Sequence, residues 1–155
     1  MMKPIRYMLA VSLIGNLLMV GAVNAESRSY TATNPAWKAE CGSCHMAYPA
    51  RMLPASSWRK MMSGLDKHFG TDASLDPAAV VEISTFLEKY AARENAASSN
   101  ATLRITETGW FVHEHDEVPN SVWRSPKVKS PSNCMACHRG ADTGNFSEHS
   151  VRIPR

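Results

Sequence analysis

Two short stretches of this sequence carry most of the information about its fold: Cys41-Gly42-Ser43-Cys44-His45 and Cys134-Met135-Ala136-Cys137-His138. Both follow the pattern Cys-x-x-Cys-His, and together they contain every cysteine of the 155-residue chain. Two thiols at this spacing can add to the two vinyl groups on one edge of a haem, and the next histidine then binds the iron. The sequence therefore predicts two covalently bound haem c groups. The predicted thioether residues are Cys41, Cys44, Cys134 and Cys137, and the predicted proximal iron ligands are His45 and His138.

Two other uses of four cysteines have to be weighed. In an exported chain they could form two disulfides, and two Cys-x-x-Cys pairs could build a four-thiolate zinc site. Neither use explains why a histidine follows both pairs. The gap of roughly 90 residues is also longer than a zinc ribbon usually has. Haem attachment is the favoured interpretation.

The first 25 residues have the pattern of a Sec-type signal peptide. Lys3 and Arg6 precede an apolar run over residues 8–23, and Val23-Asn24-Ala25 offers small residues for cleavage. A retained anchor is the alternative, but the run is short for a span of about 20 residues. We expect a periplasmic protein with no stable membrane span after cleavage. The mature chain keeps 15 basic against 14 acidic residues, and no clustered basic face indicates nucleic-acid binding.

The remaining chain predicts a mainly α fold. We expect a helix over 54–69, capped by Ser56 or Ser57 and ended by Gly70, with His68 on its apolar face. A second helix should begin at Asp76-Pro77 and end near Arg93. Residues 102–118 fit either an extended segment or a short helix.

The pattern also suggests two haem-binding lobes. Residues 95–101 are small and polar, which is typical of a linker. We therefore divide the chain into a signal peptide (1–25), an N-terminal haem lobe (26–94), the linker, and a C-terminal haem lobe (102–155). Helices and long loops should pack on the haems, helped by aromatic residues. These residues are Trp37, Tyr48, Trp58, Trp110 and Trp123.

The sixth ligand of each iron is sought among the other histidines. His68 is the best placed for the first iron, because it follows the first motif on an apolar helix face. For the second iron, the pattern gives a near-even choice between His113 and His115, and His149 lies in a polar tail. Methionine is a competing ligand at the first site, although methionine is also a common packing residue. The candidates are Met46, Met52, Met61 and Met62.

The chain resembles the dihaem cytochrome c family, often called DHC. The resemblance rests on residues 40–49 (ECGSCHMAYP), 53–58 (LPASSW), 66–70 (DKHFG), 73–76, 110–111, 114–115 and 128–138 (VKSPSNCMACH). It implies a mainly α-helical periplasmic protein with two low-spin, bis-histidine haems. It assigns distal ligation to His68 and favours His115 over His113. Proximity in sequence pairs His68 with the first iron and His115 with the second, while a crossed arrangement stays open.

The resemblance also implies electron exchange with other redox proteins, including a small monohaem cytochrome c and a membrane cytochrome b. An iron with six protein and porphyrin ligands cannot bind substrate without losing one of them. We therefore expect an electron-transfer relay and not an enzyme. The rival hypothesis is a small haem enzyme, of the peroxidase or nitrogen-oxide reductase type, with one open iron.

Overall fold

The computed structural model describes residues 30–94 and 101–154. Within these ranges the chain is mainly helical, as predicted, and forms no strand beyond isolated bridges. The α-helices are α1 (Pro35–Cys41), α2 (Ala55–Met62), α3 (Pro77–Tyr90), α4 (Gly109–Glu114) and α5 (Asn120–Trp123). Short 3₁₀ turns join them at Ala50–Met52, Leu65–Lys67, Ile105–Glu107, Cys134–Ala136, Ala141–Thr143 and Glu148–Ser150.

Local capping explains where three of these helices begin. The Asn34 side chain accepts a hydrogen bond from the Trp37 N–H at the start of α1. The Asp76 carboxylate accepts from two backbone N–H groups at the start of α3, where Pro77 takes the first helical position, as the sequence predicted. Thr108 caps α4 in the same way. The ambiguous segment 102–118 is therefore a 3₁₀ turn followed by a short helix.

The predicted helix over 54–69 was wrong in length and in its cap. It ends at Met62, because the chain leaves the helical conformation at Gly64 and tightens into a 3₁₀ turn. Glycine destabilises a helix interior by about 1 kcal/mol relative to alanine. His68 follows that turn and does not lie on a helix face.

The start of α2 is capped from a distance. Ser56 and Ser57 lie inside the first turn, and neither caps the helix through its own side chain. The Glu94 carboxylate instead accepts hydrogen bonds from the Ser56 N–H and hydroxyl, both at 2.8 Å. The predicted end of α3 near Arg93 is also too late. The helix stops at Tyr90, and the Ala92 N–H then donates to the Leu53 carbonyl at 2.9 Å.

The main core lies where α1, α2 and α3 meet. Ile83 and Leu87 of α3 are fully buried there. Trp58 is also buried, and its Nε1–H donates to the Ala50 carbonyl, which satisfies its one polar group. The core residues are Trp37, Ala50, Leu53, Trp58, Met62, Ile83, Phe86 and Leu87.

The C-terminal part buries much less. Among residues 101–154, the buried apolar residues are Phe111, Val128 and Ala141. The two parts contact each other: Trp110 Nε1–H donates to the Met52 carbonyl at 3.3 Å, and the Arg104 guanidinium lies 4.3 Å from the Phe69 ring centre. The division into two lobes stays a prediction.

Two sequence predictions fall where the structure gives no description. The signal peptide (1–25) and residues 95–100 of the linker lie outside the described residues. Over the ranges that are described, none of the helices has both the length and the apolar character needed to cross a bilayer.

Candidate functional site

His45 and His68 form the first of two histidine pairs. His45 follows α1 and the turn at Gly42, a position where a side chain would collide with the Lys38 carbonyl. His68 is held between the 3₁₀ turn and a hairpin-like bridge to Thr71. The two imidazole ring centres are 6.1 Å apart, with ring planes inclined by 26°.

His115 and His138 form the second pair. His115 occupies the C-cap of α4, and His138 follows the 3₁₀ turn that carries the second pair of cysteines. Their ring centres are 6.2 Å apart, with planes inclined by 74°. The His115 ring is stacked on Phe111 at 4.1 Å and lies 5.8 Å from Trp123.

Each pair has one imidazole that is fixed by a backbone carbonyl. Nδ1 of His45 donates to the Met46 carbonyl at 2.8 Å, and Nδ1 of His115 donates to the Phe111 carbonyl at 2.9 Å. Because Nδ1 carries the hydrogen in both rings, Nε2 has the lone pair that can bind a metal ion. Nδ1 of His68 and of His138 is buried and has no hydrogen-bond partner within residues 30–94 and 101–154.

The electrostatics keep two of these rings in the metal-binding form. Burial lowers the pKa of His68, and the nearby His45 lowers it further. Burial likewise lowers the pKa of His138, with a second contribution from His115. A lowered pKa favours neutral imidazole, which is the form that coordinates a metal ion.

The spacing within each pair fits two imidazoles bound to one metal ion. A metal–Nε2 bond is about 2.0 Å and the nitrogen lies about 1.1 Å from its ring centre, so two opposed rings should be about 6 Å apart. The observed 6.1 and 6.2 Å match this spacing. The C-terminal part also has little apolar core of its own, and a large planar cofactor would supply one. The residues therefore fit haem at both sites.

The other ligand candidates are placed differently. His113 lies two residues before the C-cap of α4 and is exposed, and His149 is exposed in the tail. Met52 and Met62 are buried, and Met62 belongs to the core cluster. Among the described histidines, the ring nearest to His45 is that of His68, and the ring nearest to His138 is that of His115.

The four cysteine thiols are unbonded to one another. Burial, with a smaller contribution from Glu40, raises the pKa of Cys41 to about 11. Burial also raises the pKa of Cys134 and of Cys137. Among the described residues, no three or more His, Cys, Asp or Glu side chains are grouped as a metal site.

Two cavities lie between the motifs and not within either histidine pair. One of about 530 Å³ touches His45, Met135 and the segment 141–144. The other, of about 300 Å³, has Cys44 and Cys134 in its wall. Neither reaches His68 or His115, so the paired imidazoles are the better guide to where iron would bind.

Sequence reasoning missed the residues that support these pairs. The Phe111 ring stacks on the His115 ring, and the Phe111 carbonyl accepts the hydrogen bond from His115 Nδ1–H. The i, i+4 spacing of Phe111 and His115 on a helix was the available signal. Tyr48 was predicted to pack on a haem. Its ring lies 4.9 Å from that of His45, and its hydroxyl donates to the Ser132 carbonyl at 2.8 Å.

Comparison with known proteins gives consistent matches. A family model for dihaem cytochrome c, DHC, matches residues 37–146. The diheme cytochrome c of Shewanella baltica OS155 is 44% identical, with a TM-score of 0.69, over 78% of this chain and 93% of that one. A diheme cytochrome c from Rhodobacter sphaeroides is 42% identical, with a TM-score of 0.69, over 75% and 98%. A structure of DHC purified from Rhodobacter sphaeroides is 47% identical, with a TM-score of 0.65, over 75% and 99%. No curated protein matches the chain.

Proposed function

The chain belongs to the dihaem cytochrome c family, and from that premise we propose that it relays electrons between redox proteins through two bis-histidine haems. Membership implies two haem c groups, attached through the four cysteines, and electron transfer is the general function of the family. The proposal adds the ligands and the role. His45 and His68 hold the first iron, and His138 and His115 hold the second.

The observation that carries this proposal is the spacing of the two histidine pairs. Both separations, 6.1 and 6.2 Å, suit a metal ion bound between opposed Nε2 atoms. An iron closed on both faces by protein ligands has no position for a substrate. Outer-sphere electron transfer is the chemistry that such a site supports, and the bound haem supplies the one-electron redox couple.

The protein's own residues orient and shield the ligands. The Met46 and Phe111 carbonyls fix the ring orientations of His45 and His115, which also raises the basicity of the two imidazoles. The Phe111 ring stacks on the His115 ring at 4.1 Å, and the Trp123 ring lies 5.8 Å from it. Axial ligand type, burial and hydrogen bonding are the means by which a protein sets a haem potential.

The proposed setting is the periplasm. Residues 1–25 would direct export, and haem c attachment takes place outside the cytoplasm, which agrees with that signal. The proposed partners are other redox proteins, namely a monohaem cytochrome c and a membrane cytochrome b. Exposed apolar side chains near the second site, Val112 and Met135, are available for such contacts.

A spectrally resolved redox titration of the haem-loaded protein tests the proposal. We expect two haems per chain, with low-spin spectra in both the ferric and ferrous states. A methionine-ligated spectrum at either haem would contradict the ligand assignment. A high-spin ferric signal at neutral pH would favour the rival function, an enzyme with one open iron.

A further inference from the structure

Tyr48 lies between the two haem-attachment motifs. It is three residues after His45, and its ring centre is 4.9 Å from that of His45. Its hydroxyl donates to the Ser132 carbonyl at 2.8 Å, across 84 positions of sequence. The same carbonyl lies 3.7 Å from Sγ of Cys134. One side chain therefore contacts the proximal ligand of the first site and the backbone beside a thioether residue of the second.

The two motifs face each other around Tyr48. The cavity of about 300 Å³ has walls from both of them. The first motif and the residues just after it contribute Cys44, His45, Met46 and Tyr48 to the wall. The second motif and the residues just before it contribute Ser132, Asn133, Cys134 and Met135. One cysteine of each motif thus borders a single gap, and the Tyr48 hydrogen bond crosses it.

We propose that Tyr48 is a positioning residue that holds the two haem-attachment motifs at a fixed separation. The inference rests on the proposed relay function, because that function needs the two redox centres close together. More than 80 residues of chain separate the motifs, so covalent connection alone does not set their distance. The interaction between two charges falls with distance, and a fixed gap therefore also fixes how strongly reduction of one site affects the other.

The plain alternative is a tyrosine that packs in the interior and satisfies its hydroxyl wherever a carbonyl is near. The two roles differ in what loss of the hydroxyl does. A packing role depends on the ring, which Tyr48→Phe keeps. A positioning role depends on the bond to Ser132, which Tyr48→Phe removes. The net contribution of a hydrogen bond between uncharged groups changes an equilibrium constant by a factor of about 2 to 10. The equilibrium constant for opening of the gap should therefore rise by that factor.

The experiment compares Tyr48→Phe with Tyr90→Phe in the full, haem-loaded chain. Tyr90 is a half-buried tyrosine of α3 that packs on Phe86 and does not border the gap. The first readout is peptide-resolved hydrogen exchange over residues 132–138. The second is the shift in one haem's potential that follows reduction of the other. Optical spectra and the haem count per chain check that both sites stay loaded and low-spin.

We expect exchange over residues 132–138 to rise about 2- to 10-fold in Tyr48→Phe, together with a smaller redox interaction between the haems. Tyr90→Phe should change neither. Unchanged exchange and an unchanged redox interaction in Tyr48→Phe would overturn the proposal. An altered first-haem spectrum would also overturn it, because Tyr48 would then act on His45 and not on the gap. An open iron in the unmodified protein would instead refute the relay function, so the two failures are distinguishable.

Discussion

Replacing His115 by alanine is the sharpest test of the ligand assignment, because the same helix supplies a matched control. His113 is also on α4, two positions earlier, and was the sequence's alternative for the same role. His113→Ala makes the same chemical change at an exposed position. His68→Ala makes the corresponding change at the first site, and the double variant His68→Ala/His115→Ala combines both.

The expected effects follow from the ring positions. The His115 and His138 rings are 6.2 Å apart, and alanine ends at Cβ, so His115→Ala leaves one coordination position open. The unmodified protein and His113→Ala should bind no carbon monoxide. His115→Ala and His68→Ala should each bind one molecule per chain, and the double variant two. His115→Ala also loses ring contacts with Phe111 and Trp123, which at about 0.5–1.5 kcal/mol for each aromatic pair lowers stability by about 1–3 kcal/mol.

The assay is a carbon monoxide titration of the dithionite-reduced, haem-loaded protein, followed by the ferrous Soret band. Ferric spectra of the same samples show whether a high-spin haem accompanies each open position. If His113→Ala gains a binding site and His115→Ala gains none, the assignment of His115 is refuted. A low-spin, methionine-type spectrum in His68→Ala would show that a nearby thioether has replaced the lost ligand.

Three further predictions concern the angles between the ligand ring planes, the cap of α3 and the helical core. The ring planes of the two pairs are inclined by 26° and 74°, so electron paramagnetic resonance should resolve two low-spin ferric signals, the second more anisotropic; one shared signal would contradict this. Asp76→Ala removes the cap of α3 and should lower the free energy of unfolding by about 1 kcal/mol in a urea titration. If the urea midpoint and the slope of the transition are unchanged, this prediction is wrong. Leu53→Ala shortens a fully buried core side chain and should lower the free energy of unfolding by about 2–5 kcal/mol in the same assay. An unchanged free energy of unfolding would mean that the core closes around the space left by the removed methyl groups.

The elements that sequence predicted well are those with local causes. Asp76 and Pro77 predict the start of α3, because the carboxylate caps the helix and proline fixes a helical backbone angle within the same turn. The helix over 54–69 failed for the opposite reason. Its apolar spacing continues through a 3₁₀ turn, so periodicity from Trp58 to Phe69 does not reveal the break at Gly64. The cap of this helix comes from Glu94, 38 residues after Ser56, and no local pattern announces such a contact.

The candidate sites divide in the same way. The Cys-x-x-Cys-His motifs are local, and sequence identified all six of their Cys and His residues. The choice between His113 and His115 depends on where the C-cap of α4 directs a ring, which the pattern alone left open. The hydrogen bond from Tyr48 to Ser132 joins residues 84 positions apart, so no local sequence pattern predicts it.

The two sites have the same proposed ligand type but are supported in opposite ways. In the first, the proximal ring of His45 is fixed by a carbonyl and the distal ring of His68 is not; in the second, the distal ring of His115 is fixed and the proximal ring of His138 is not. A hydrogen bond donated by Nδ1–H makes an imidazole a stronger ligand for a metal ion, and each pair has one such bond. Donor strength is therefore balanced between the sites. We therefore expect a difference in potential to follow from two features that differ between the sites. These are the ring-plane angle and the exposure of the rings, because His45 is exposed whereas His68, His115 and His138 are half-buried.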